Sequence, residues 1–226
     1  MKRTFVFIFL ACFLLSACNS TPPTAEPEQL TVQYTAASVP WLAGVYRCAG
    51  GDVVAAEQRG AEFLDPRSAN MVIRIGKPDN SLPFVYQIAA DDLLVIGNLK
   101  NQTSKLTAEQ VNAIFTGQIH NWKSINGSDA TMEAWVFPAG EDIQDIFGQT
   151  VLQESPVTSA AHIATNPDEM LRAIEKDVNA IGIITSRWKT GKVSNLYTAA
   201  SRLPVLALTL SKPEGTLAQV LACMQR

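Results

Sequence analysis

The stretch LTAEQVNAIFTGQIHNW at residues 106–122 limits the fold more than any other part of the chain. Thr107, followed three positions later by Gln110, forms a capping box in which each side chain satisfies a backbone N–H at a helix start. Val111, Ile114 and Phe115 fall at i, i+3 and i+4 and make one apolar stripe. Gly117 sits where a left-handed cap ends the helix, and Ile119 and Trp122 can then fold back onto the stripe. Such a helix is a core element, stable only against a second layer.

The rest of the chain supplies that layer. Short apolar runs at 30–35, 53–56, 71–75, 84–88, 93–96, 132–137, 181–185, 196–198 and 205–210 read as strands. Helices are expected at 41–48, where Ser38-Val39-Pro40 has the form of a start and Gly50-Gly51 of a stop, and at 107–115, 141–152, 167–176 and 215–224. Strands alternating with helices predict an α/β architecture with largely parallel sheets. No internal repeat is visible.

The first residues indicate a compartment. Lys2 and Arg3 precede an apolar run at 4–15, too short to span a bilayer and suited to a secretory leader. The run ends in Leu15-Ser16-Ala17-Cys18, which looks like a bacterial lipobox; an ordinary leader would leave Cys18 incidental. Acylation of Cys18 would anchor the chain to a bacterial membrane through several acyl chains. Residues 18–29, rich in Ser, Thr, Pro and Glu, then form a flexible tether. The body is expected outside the cytoplasm, lipid-anchored, as a monomer.

Loss of residues 1–17 removes Lys2 and Arg3 and no acid, so the formal charge moves from −3 to −5. An acidic body with no basic patch argues against nucleic acid. With Cys18 lipidated, Cys48 and Cys223 remain as an even pair in an oxidising compartment, either bonded or held as buried thiols. Bonding would suit first and last helices packed together.

The 106–122 string resembles the "LT…Q…IF.G.I..W" segment of phosphate-type periplasmic solute-binding proteins of ABC importers, and Asn179–Thr185, NAIGIIT, looks like that family's "GAIGY" strand. The resemblance runs from about Leu30 to Met224 and is thin at 50–70. It implies a two-lobe periplasmic-binding-protein-like fold of type II, with a ligand cleft between the lobes. The implied division is 1–17 leader, 18–29 tether, 30–97 first lobe, 98–198 second lobe and 199–226 return to the first lobe. The polar stretch 98–105 and the region 194–203 are the expected crossings. An ABC permease and a small-molecule ligand, an oxyanion in the family, are the implied partners.

Solute-binding proteins hold small anions between helix N-termini, where unpaired N–H groups and the helix dipole face the ligand. Thr35-Ala36-Ala37-Ser38 is the first-lobe counterpart, and the Thr35 and Ser38 hydroxyls either meet a ligand or, for Ser38, cap a helix. The second lobe departs from the family. Where the phosphate loop resembles Arg-Ser-x-Gly-Ser-Gly-Thr, this chain has Phe137-Pro138-Ala139-Gly140-Glu141-Asp142-Ile143. Only Gly140 stays; Glu141 and Asp142 either cap the helix or face a cationic or neutral ligand. A like charge at about 4 Å opposes an anion by roughly 4 kcal/mol at an effective dielectric near 20, so phosphate binding is disfavoured. Asn70 replaces the family's Asp, and Arg74 could compensate or be salt-bridged.

Catalysis finds no pattern to rest on. The chain has two histidines, His120 and His162, outside any nucleophile or metal-ligand motif, and it lacks G-x-S-x-G, H-E-x-x-H and P-loop signatures. Asp91 and Asp92 are adjacent on an extended segment and point to opposite faces. No cofactor and no metal are expected. Two functions remain open: a solute-binding protein of an ABC-type importer, or a ligand-degenerate lipoprotein with the same fold acting as an interaction or sensory module.

Overall fold

A computed structural model describes residues 29–77, 84–103 and 105–226. The leader, Cys18 and nearly all of the tether lie outside the described residues. Among the described residues no helix is long and apolar enough to cross a membrane.

The chain forms strand β1 (Leu30–Thr35), a 3-10 turn (Ala36–Trp41), helix α1 (Leu42–Ala49), β2 (Val53–Gln58) and β3 (Met71–Ile75). Strand β4 (Phe84–Asn98), helix α2 (Ala108–Phe115), β5 (Glu133–Val136) and helix α3 (Asp142–Thr150) follow. The rest is β6 (His162–Ile163), α4 (Pro167–Lys176), β7 (Ala180–Thr185), β8 (Val193–Thr209) and α5 (Gly215–Met224). Eight strands join in one sheet, in the order β2-β1-β3-β8-β4-β7-β5-β6. Strands β1, β2 and β3 pair in parallel, as do β5, β6 and β7, and the antiparallel β4–β8 pair lies between the two sets. The fold is the two-lobe α/β architecture expected from the sequence, but in one mixed sheet rather than largely parallel ones, because the long central strands β4 and β8 run antiparallel.

Two differences are informative. The strands expected at 84–88 and 93–96 are one strand, β4, and those at 196–198 and 205–210 are one strand, β8. Asp91-Asp92 reads as a break because acids are depleted in strands. Here the buried Asp91 carboxylate accepts from the Ser186 hydroxyl and, at 3.2 Å, from the Arg187 N–H, so it stays inside the sheet. Register shifts at Gln87/Ala89 and Asp92/Leu94 let the pair bend. The N-terminal end of β4 thus pairs only with β8, alongside β3, while Leu93–Gly97 also pairs with β7. The chain therefore passes from one half of the sheet to the other inside these paired strands, ahead of the polar stretch at 98–105.

Helix α2 carries the capping box Thr107–Gln110, and Gly117 takes the left-handed conformation after it. Val111, Ile114 and Phe115 are buried, and the Phe115 ring meets Phe147 of α3 edge-on at 4.8 Å. Trp122 is fully buried and its indole N–H donates to the Asn179 carbonyl at 3.0 Å, joining the two family-like segments. In the first lobe α1 packs on α5, and Cys48 and Cys223 are bonded with Cα atoms 5.8 Å apart.

Candidate functional site

Strands β1 and β3 end together, and Thr35 and Arg74 stand at those ends. Across from them the chain leaves β5, turns through 137–141 and starts α3 at Asp142. Helix α4 begins nearby, capped by Asn166. This is the crevice beyond the carboxyl ends of parallel strands where α/β sheets place ligands.

Asp142 fills that crevice. Its side chain is fully buried. One carboxylate oxygen, Oδ2, accepts the Thr35 hydroxyl at 2.7 Å and the Ile75 backbone N–H at 2.9 Å. The other, Oδ1, lies 3.1 Å from a terminal nitrogen of Arg74, whose side chain is 12% exposed. That last contact is an ion pair without hydrogen-bond alignment: Oδ1 and the Arg74 Nε both stay without a directed partner. Burial pushes the Asp142 carboxyl up, while Arg74, the Thr35 hydroxyl and the Ile75 N–H oppose the shift. The Ile75 N–H and the Arg74 guanidinium can only donate, which favours the carboxylate, whereas the Thr35 hydroxyl can donate or accept.

Further contacts hold the halves together. The Ala61 N–H donates to the Gly140 carbonyl at 2.9 Å, and the Trp188 indole N–H donates to the Ala37 carbonyl at 2.8 Å. Gly76 has φ of +80°, and a Cβ there would lie 2.7 Å from the Ile146 Cδ1, so any other residue would be strained here and would make Ile146 of α3 shift. The remaining gap, lined by Ala37, Phe137, Glu141, Ile143, Asn166 and Pro167, has no room for a water molecule.

Thr35, Arg74 and Asp142 therefore converge, and the others do not meet a ligand space. Ser38 is buried and donates to the Thr35 and Ile73 carbonyls, fixing the turn after β1. Gly140 has both backbone groups engaged, its N–H by the Asp145 carboxylate at 3.0 Å and its carbonyl by Ala61. Neither Glu141 nor Asp142 caps α3 with its side chain, contrary to one expectation; Asp145 turns back to Gly140 instead, and Asp142 reaches across the crevice. Glu141 is 6% exposed and has its carboxyl pushed up to about 7, by burial first and then by Asp142, Glu57 and Asp145. Asn70 is misplaced by the sequence reading. It precedes β3 and exchanges hydrogen bonds with Thr31, about 13 Å down the strand from Arg74. There it borders a separate groove of about 620 Å³ beside Lys212 and Thr216.

Sequence reasoning missed the Ile75 N–H, and it did not foresee the hydrogen bonds that Trp188 and Asp91 make. A backbone donor has no residue signature, and a single tryptophan after β7 carries no positional signal. Among the described residues no group of three or more His, Cys, Asp or Glu is placed to hold a metal ion. His162 instead pairs with Glu133 at 2.8 Å and stacks on Trp135 at the outer edge of the sheet.

A family model describing the PBP superfamily domain matches residues 82–221. No curated protein matches the chain. Among solved structures, a Clostridium perfringens protein described as a phosphate ABC transporter substrate-binding protein with bound phosphate is 18% identical, with 87% of this chain and 92% of that one covered and a TM-score of 0.74. An ABC-type phosphate transport receptor from Vibrio cholerae is 17% identical over 87% and 93% of the two chains, with a TM-score of 0.65. The sulfate-bound regulatory domain of an OxyR2 mutant from Vibrio vulnificus is 8% identical over 87% and 94%, with a TM-score of 0.64. At these identities the structures speak for the fold alone. The family match covers more than half of the chain, which belongs to the PBP superfamily.

Proposed function

We infer that this member of the PBP superfamily is an extracytoplasmic lipoprotein, anchored through Cys18, that keeps the solute-binding fold and has given up solute carriage for an interaction or sensory role. One observation carries the reading: the carboxylate of Asp142 is buried against Thr35, Arg74 and Ile75, and among the described residues the gap beside it has no room for a water molecule. A phosphate brought to the same place would meet the Asp142 carboxylate at close range, which at about 4 Å opposes it by roughly 4 kcal/mol at an effective dielectric near 20. The likeness to a regulatory domain is compatible with a sensory use of this architecture.

Calorimetry of phosphate into the mature protein tests the reading. The expected dissociation constant is above about 100 µM, because a micromolar affinity needs about 8 kcal/mol that this loop lacks the donors to supply. Tight phosphate binding would overturn it. The anchor is tested separately: Cys18→Ser should accumulate as an unprocessed, unacylated precursor.

The second reading, a solute-binding protein delivering a small molecule to an ABC permease, is favoured by the intact two-lobe frame and its paired crossing strands. A thermal-shift panel of solutes separates the two. A saturating ligand at 100 times its dissociation constant stabilises by about 2.7 kcal/mol, and any such hit restores the transport reading.

A further inference from the structure

The environment of Asp142 is more specific than a stray salt bridge. A hydroxyl, a backbone N–H and a guanidinium, contributed by β1 and β3, converge on one carboxylate that arrives from the other lobe. Every one of these first-lobe groups is a donor, and Arg74 keeps one buried N–H, on Nε, unpartnered. A carboxylate is an oxyanion, and a set of three donors around a buried oxyanion is a binding site whatever covalent chain the anion belongs to. The occupant comes at high effective concentration because the protein itself delivers it.

We propose that Asp142 is a tethered ligand: its carboxylate occupies an anion site built by Thr35, Arg74 and Ile75, holds the lobes closed without solute, and masks a site for a free monocarboxylate. The inference rests on the cleft being internally closed, and it names what the closed site would take. Size and charge select the class. Truncating Asp142 would open a space for one small carboxylate group within reach of the Thr35, Arg74 and Ile75 donors. A phosphate dianion is larger and more highly charged, and the Glu141 carboxyl lies beside the gap.

Chemical rescue tests this. Asp142→Ala should lower the melting temperature of the mature protein, and formate or acetate should restore it saturably, by about 4 °C or more at roughly 200 mM. Chloride at equal ionic strength should not, and phosphate should act more weakly than acetate. The double variant Asp142→Ala with Arg74→Gln should show no acetate effect beyond that of chloride. If Asp142→Ala is unfolded in chloride, the same titration reads recovery of the folded signal, and Asp142→Ser repeats it in a milder background. Equal responses to acetate and chloride, or rescue that survives loss of Arg74, overturn the proposal. The natural protein separates the two readings. A ligand that binds it tightly breaks the closed-cleft reading, whereas failed rescue breaks only the tethered-ligand inference.

Discussion

Two buried aspartates, Asp91 and Asp142, do different things. Asp91 lies in β4 at the hinge and takes its donors from Ser186 and Arg187, which follow the neighbouring strand β7, and from the adjacent Asp92 N–H. Asp142 lies at the start of α3 and takes all its donors from the other lobe. A carboxylate satisfied by its own surroundings fixes a local turn. One satisfied across a gap fixes the distance between two bodies. Burial is nearly the same, 3% and 0% exposed, so burial alone says nothing about which task a charge performs.

That contrast can be broken. Asp142→Ala leaves Arg74 as an uncompensated, largely buried cation and should destabilise by about 3–5 kcal/mol in urea unfolding. It should also enlarge the radius of gyration in solution scattering, because the lobes lose their clasp. Breaking the Cys48–Cys223 bond, with both changed to serine, should destabilise by about 2–4 kcal/mol. Its effect should be confined to the first lobe, with no expansion of the cleft. Asp91→Asn should destabilise by about 1–3 kcal/mol through its lost charge-assisted bonds, again with unchanged dimensions. If Asp91→Asn expands the molecule as far as Asp142→Ala does, the division of labour between the two carboxylates is wrong.

Glu141 sharpens the comparison through pH. Its folded pKa, about 7, lies above the ordinary carboxylate value, so the folded state binds the proton more tightly than the unfolded chain. The stability it contributes is full below about pH 4.5 and is lost as pH rises towards 7. Glu141→Gln should remove that slope and stabilise the protein at about pH 8 by about 1–2 kcal/mol, after allowance for solvent screening. Urea midpoints on either side of that pKa, at about pH 5 and about pH 8, read it directly, and a variant as pH-dependent as the parent would exclude Glu141 as the source. The smallest effect is expected from Trp188→Phe, about 1 kcal/mol, from loss of the hydrogen bond to Ala37.

The framework was far more legible than the site. Capping chemistry and an apolar stripe are local, so α2, α4 and α5 can be read from a few neighbouring residues. The 137–143 loop could be seen as foreign to an anion site, because two acids are wrong for that chemistry wherever they point. What they do instead was hidden. Thr35 and Asp142 are 107 positions apart, and no spacing rule connects them. Asn70 was set beside Arg74 for a related reason: it lies just before β3, and spacing alone does not show that four positions of nearly extended chain separate it from the cleft. The length of β4 was obscured because Asp91-Asp92 looks like a strand end until Ser186 and Arg187 are in view.

The bond joins Cys48 and Cys223, 175 positions apart in sequence, and the whole second lobe lies within that ring. A single proteolytic cut at an exposed turn, such as the one around Gly191 or the one at Gln153 and Glu154, would open the ring and release nothing. The severed chain would behave much like a circular permutant, with new ends in the second lobe and the old ends stapled in the first. Such damage would leave one band on a non-reducing gel and two on a reducing one. In a compartment shared with proteases, a nicked molecule would therefore persist as a single covalent body.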